Sequence, residues 1–126
     1  MSLANCKPVT FIGTRDRATS RQFYTQVLGL PEVAADDHAV VYDLAGTMLR
    51  LTDIGPSLQP QPHTVLGWLV EDIAATMEQL RARGVEFQFY DGFGMGEDCV
   101  WQAPGGGAKI AWFLDPAGNN LSLTQF

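Results

Sequence analysis

The sequence predicts an α+β fold built from two βαβββ modules. Three observations carry this. A strand–helix–strands order occurs twice, two short segments of the first half match segments of the second in the same order, and a Pro-rich stretch separates the halves.

Residues 8–14, PVTFIGT, are β-rich and predict a strand. Asp16 stands where it caps a helix over roughly residues 17–28, in which Phe23, Val27 and Leu28 recur near helical spacing. Gly29 suits the left-handed residue that ends a helix, and Pro31 bars its continuation. HAVVYDL (38–44) and TMLRLTD (47–53) follow as strands about an Ala45-Gly46 turn. The order is β-α-β-β-β once the short PEVAA stretch also pairs.

Ile54–Pro62, IGPSLQPQP, holds three prolines, a glycine and two glutamines, the composition of an extended connector. The division expected is therefore a first module over 1–54, a linker over 55–62 and a second module over 63–126, within one structural domain.

The second half repeats the order. HTVLGWLV (63–70) is a strand, and Asp72 caps a helix whose Ile73, Met77 and Leu80 fall at i, i+4 and i+7. Arg81 and Arg83 complement the dipole of its last turn, and Gly84 closes it. VEFQFY (85–90), AKIAWFL (108–114) and NLSLTQ (120–125) read as strands. Between the first two lies a Gly-rich insertion over 91–107, expected as a loop at the mouth of a site. DPAGN (115–119) is a turn. The self-matches are AGTMLRLTD (45–53) with AGNNLSLTQ (117–125), and TFIGTRD (10–16) with LGWLVED (66–72).

Composition narrows the function. Hydrophobic residues make up 46% of the 126, with three Trp and seven Phe, which argues for a packed core. Eight basic residues against fourteen acidic ones give a formal charge of -6, which repels a phosphate backbone and argues against nucleic acid as a partner. No apolar run approaches the ~18–20 residues that span a bilayer, and the N-terminus lacks a secretory pattern. Cys6 and Cys99 are distant and unclustered, which suggests two reduced thiols in a cytoplasmic protein. GFGMG (92–96) opens no helix and is no dinucleotide fingerprint. Cys99, beside Glu97 and Asp98, makes a poor nucleophile.

FYTQVLGL (23–30) together with DPAGNNLSL (115–123) resembles the vicinal oxygen chelate superfamily: glyoxalases, bleomycin-resistance proteins and extradiol dioxygenases. The resemblance covers nearly the whole chain. It implies two modules forming a cleft-shaped sheet, helices on the convex face, a small-molecule ligand in the cleft and a homodimer. Its metal-dependent members place one ligand on the first strand and one on the last strand of each module. Carried onto this chain, those positions fall on Val9, Arg50, Val65 and Ser122. Valine has no donor atom and Arg is a permanent cation, so the resemblance arrives without its metal: no cofactor is expected.

The reading that follows is a metal-free protein of the glyoxalase/bleomycin-resistance type, holding an anionic or oxygen-rich organic molecule. Arg50 serves as the anion anchor, Phe11 as an apolar wall beside Val9, and Trp101 with Trp112 or Phe113 as cover. Each has a plainer counterpart: Arg50 in an internal salt bridge with Asp53 or a residue of the other module, the aromatics in core packing. Tyr24 is assigned to packing. The alternative is a metal-dependent lyase, isomerase or dioxygenase, with a divalent ion on a displaced site drawn from His63, His38 and Asp53. Bleomycin, a cation, is a poor match for Arg50.

Overall fold

The computed structural model describes residues 2–126. They divide into two compact units that meet between Gln59 and Pro60, within the Pro-rich stretch. After a 3-10 turn at Leu3–Asn5, the first unit runs β1 (Val9–Thr14), α1 (Arg17–Gln22), β2 (Glu32–Ala35), β3 (Ala39–Leu44) and β4 (Thr47–Asp53). The second runs β5 (Thr64–Leu69), α2 (Ile73–Ala82), β6 (Trp101–Gln102), β7 (Lys109–Leu114) and β8 (Asn120–Gln125). Each is a βαβββ module with one four-stranded sheet, in the orders β1-β4-β3-β2 and β5-β8-β7-β6. In each sheet the first strand pairs in parallel with the last, and the remaining pairs are antiparallel.

Both helices begin as the sequence predicts. The Asp16 carboxylate accepts the backbone N–H of Thr19, and Asp72 accepts that of Ala75 at 3.0 Å. Bonds from the Thr19 hydroxyl and amide also hold the Asp16 carboxyl below its usual range. The first helix does not stay α-helical to residue 28. It passes into a π-helical turn at Phe23–Val27, where the N–H of Leu28 reaches the carbonyl of Phe23.

Strand alternation builds the core. In the first unit Ile12, Val40, Tyr42, Leu49 and Leu51 are buried beneath the helical segment, with Tyr24 fully enclosed. The Thr14 and Ser20 hydroxyls bond each other at 2.6 Å, joining β1 to α1. In the second unit Ala111, Phe113, Leu121 and Leu123 are buried, as are Ile73, Met77 and Leu80 of α2. Trp68 stacks on Phe113, and Phe87 meets the same ring edge-on.

The expected strand over 85–90 is corrected. VEFQFY keeps a single bridge, Phe87 to Phe113, and the Gln88 N–H bonds the Trp112 carbonyl. The edge of β7 is completed further along by β6, which lies inside the expected insertion and pairs Trp101 with Ile110. The chain thus leaves the sheet edge after Gln88 and returns at Trp101, looping residues 89–100 out of the sheet.

The DPAGN turn is held by a buried carboxylate. Asp115 Oδ1 accepts the backbone N–H groups of Ala117 and Asn119, each at 2.9 Å, and Oδ2 accepts the Asn119 amide at 2.8 Å. Removing the carboxylate strands these buried donors. Asp115→Ala is therefore expected to cost about 3 kcal/mol in urea unfolding. A loss under about 1 kcal/mol would mean that the turn is held by its backbone alone.

Candidate functional site

Each sheet has one face beneath the helix and one open face, and strand parity decides which side chains stand on the open one. In the first unit Phe11 and Val41 flank Arg50 in register, and Val9 pairs with Met48. Cross-strand partners share a face, so Val9, Phe11, Val41, Met48 and Arg50 stand together, opposite the buried Leu49 and Leu51. Phe11 is 64% exposed, and Val9 is also exposed.

Arg50 does stand on the open face, but with a partner. Its Nη2 lies 3.3 Å from Asp36 Oδ2. Asp53 is engaged elsewhere, by Arg17 at 2.6 Å. The backbone N–H groups of His38 and Ala39, and then Arg50, hold the Asp36 carboxyl below its ordinary range. Arg50 is thus a neutralised cation whose engagement of an anion competes with Asp36.

In the second unit Gly67 and Trp112 flank Ser122 in register. Ser122 is buried, and its hydroxyl stands where a side chain on Gly67 would go: a Cβ there would lie 2.5 Å from Ser122 Oγ. Val65 is not the register counterpart of Val9. A bulge between Thr64 and Leu66 places Thr64 opposite Asn120, as Val9 lies opposite Met48, and leaves Val65 as the extra residue.

The open face of this second sheet carries a cavity of about 380 Å³. Thr64, Trp112 and Asn120 form its floor, Tyr90 and Trp101 stand at the side, and Phe93 and Met95 come from the looped-out segment. Pro62 and His63 complete the lining. The rings interlock: Tyr90 meets Trp112 edge-on at 5.7 Å, and Trp101 lies 6.4 Å from Trp112. Trp112 rather than Phe113 is the lining residue, since Phe113 points to the helix side and is fully buried.

Polar atoms gather at one end of this cavity. Trp112 Nε1 donates to Thr64 Oγ1 at 3.0 Å. Asn120 Nδ2 donates to the Pro62 carbonyl at 2.8 Å and to the Tyr90 hydroxyl at 3.2 Å. Asn120 Oδ1 is buried and has no partner among the described residues, a state that costs about 1–3 kcal/mol.

The model of the Glyoxalase/Bleomycin resistance protein/Dioxygenase superfamily matches residues 8–123. The chain belongs to this superfamily. Among solved structures it is similar to a lactoylglutathione lyase from Agrobacterium tumefaciens, at TM-score 0.72 and 17% identity over 98% of this chain and 96% of the other. It is similar to a genomically encoded fosfomycin resistance protein from Listeria monocytogenes, at TM-score 0.74 and 15% identity over 94% and 91%. An antibiotic binding protein from Streptomyces sp. CB03234 matches at TM-score 0.69 and 22% identity over 99% and 98%. At these identities the likeness is one of fold. No curated protein sequence matches the chain.

The superfamily implies a metal in some members, and the residues here do not fit one. Val9 and Val65 have no donor atom, Ser122 offers one hydroxyl and Arg50 is a cation. The bulge changes Val65 only to Thr64, a second hydroxyl. Among the described residues no group of three His, Cys, Asp or Glu side chains is placed to hold a metal ion.

Of the predicted site residues, Trp101 and Trp112 share the cavity, while Ser122 neighbours its floor in register with Trp112. Phe11, Val9 and Arg50 stand on the first unit's open face. Sequence reading missed Thr64, Tyr90, Phe93, Met95 and Asn120. Asn120 was within reach, because it lies two residues before Ser122 and strand alternation puts both on one face.

The close approach of Gly67 and Ser122 makes a test of this face. Gly67→Ala is expected to cost about 1–3 kcal/mol by overpacking. Ser122→Ala leaves the new Cβ 3.8 Å from the Ser122 Cβ position, an ordinary contact, and should relieve most of that cost. Additivity of the two changes within about 0.5 kcal/mol in a double-mutant cycle would refute the contact.

Proposed function

We propose that this protein binds a small organic molecule in the aromatic-walled cavity of its second unit, without a metal. The cavity itself carries the reading. Its volume of about 380 Å³ and its lining of Tyr90, Phe93, Trp101 and Trp112 suit a planar ligand. Specific small-molecule sites are mostly apolar with a few placed polar groups, which describes this one. One of the similar structures, an antibiotic binding protein, is consistent with a binding role. The donor set at the superfamily's metal positions favours binding over metal-assisted catalysis.

The expectation of an anionic ligand at Arg50 has weaker support, because Asp36 already offsets its charge. No Lys, Arg, Asp or Glu lines the second unit's cavity.

Binding of 2-acetylnaphthalene, followed by quenching of tryptophan fluorescence, tests the reading. Trp101→Ala is expected to weaken it by about tenfold or more, and EDTA should leave it unchanged. Absence of binding by this ketone and by its ethyl and carboxylate analogues alike, or an affinity unchanged in both Trp101→Ala and Trp112→Ala, would overturn the site. Arg50→Met, titrated with 2-naphthoate, is expected to shift affinity by less than about threefold, as for an exposed ion pair. A loss of about tenfold would return Arg50 to the role of anion anchor.

A further inference from the structure

The two hydroxyl groups lining the cavity have already accepted a hydrogen bond. Thr64 Oγ1 accepts Trp112 Nε1–H at 3.0 Å, and the Tyr90 oxygen accepts Asn120 Nδ2–H at 3.2 Å. The Asn120 amide is oriented by the Pro62 carbonyl, which can only accept, so its nitrogen rather than its oxygen faces that group and Tyr90. An indole N–H and an amide N–H thereby hold the two oxygens from the protein side. Each hydroxyl retains one proton, and among the described residues neither gives it to a protein atom.

The cavity therefore offers donors. Asn120 Oδ1, an acceptor with no partner among the described residues, is closed off from solvent. The lining holds no Lys or Arg, its one imidazole is that of His63, and the chain as a whole carries -6, a balance that disfavours an anion. Apolar aromatic walls around two hydroxyl protons match a neutral ring system that carries an acceptor oxygen.

Given the binding site proposed above, we infer that the ligand class is a neutral planar aromatic carbonyl compound, whose oxygen atoms receive the protons of Thr64 and Tyr90. Neutral and oxygen-bearing both follow. A hydrocarbon of the same shape leaves the hydroxyls dry and unpaired, and a carboxylate brings a charge into a lining that holds no Lys or Arg.

Three probes of one shape separate the possibilities: 2-acetylnaphthalene, 2-ethylnaphthalene and 2-naphthoate, each titrated against the unaltered protein by tryptophan quenching. The ketone is expected to bind roughly tenfold tighter than the ethyl compound and than the carboxylate. Tyr90→Phe and Thr64→Val should each reduce ketone affinity about threefold to tenfold, while ethylnaphthalene changes less than about twofold. Equal affinity for ketone and ethyl compound, with Trp101→Ala still weakening both, would overturn this inference and leave the site standing. Tighter binding of the carboxylate would overturn neutrality. Failure of all three to bind would overturn the site and the inference together. The comparison of ligands on the unaltered protein decides the matter even where a substitution disturbs folding.

Discussion

The parallel pairing of each unit's first strand with its last is the constraint on which the rest depends. It brings together segments separated by most of a module, β1 with β4 and β5 with β8. Once those pairs are in register, the two-residue period of a strand fixes every side chain to the helix side or the open side. Leu49, Leu51, Leu121 and Leu123 go under the helices. Arg50 and Ser122, one step along, are delivered to the open faces. A slip of one residue would exchange these sets and bury a guanidinium, so the core and the site are specified by the same register.

The two units carry corresponding hollows with different chemistry. In the first, about 350 Å³ is bounded by Val9, Val33, Val41 and Met48, with Lys7, Tyr42 and Asp43 also in the lining. Sheet register matches Val9 to Thr64, Met48 to Asn120 and Val41 to Trp112. At each of these positions the second unit replaces an aliphatic side chain with one that can hydrogen-bond or stack. The looped-out residues 89–100 then add Phe93 and Met95, for which the first unit's short hairpin into β3 has no counterpart of similar length. One architecture therefore presents an open hollow with an aliphatic floor in one copy and a walled, polar-ended cavity in the other.

Much of this was legible in sequence, and what was not has identifiable physical causes. Asp16 and Asp72 announce their helices because a cap is a local bond within one turn. The alternation of TMLRLTD sorts Arg50 from its leucines for a similar reason. VEFQFY alternates as well, yet only Phe87 pairs, because pairing depends on the edge that β7 presents and on where the chain returns to it. The bulge at Val65 is equally silent, since two-versus-one pairing is a property of two strands and not of TVLGW alone. Those two features are what assemble the cavity: one supplies Phe93 and Met95, the other sets Thr64 opposite Asn120. Arg50 could be placed on its face, but its ion partner depended on how the turn before β3 folds back, which put Asp36 beside it in place of Asp53.

Asn120 shows how far this site departs from packing alone. A buried amide with an unpaired Oδ1 is unfavourable, and the duplication supplies its own comparison: Met48 stands at the same register in the first unit, where it exposes no buried polar atom. Met in place of Asn120 would remove the orphaned oxygen and would also remove the N–H groups that hold the Pro62 carbonyl and the Tyr90 hydroxyl. Without them the Tyr90 oxygen loses its tether beside an apolar cavity, where a wandering phenol has few partners. The second unit therefore accepts an unsatisfied acceptor at the cavity's end while one Asn120 N–H, its amide anchored by the other on Pro62, fixes where the Tyr90 hydroxyl sits. That exchange disfavours stability and favours a defined polar end in an apolar hollow, which is the balance of a site shaped for recognition.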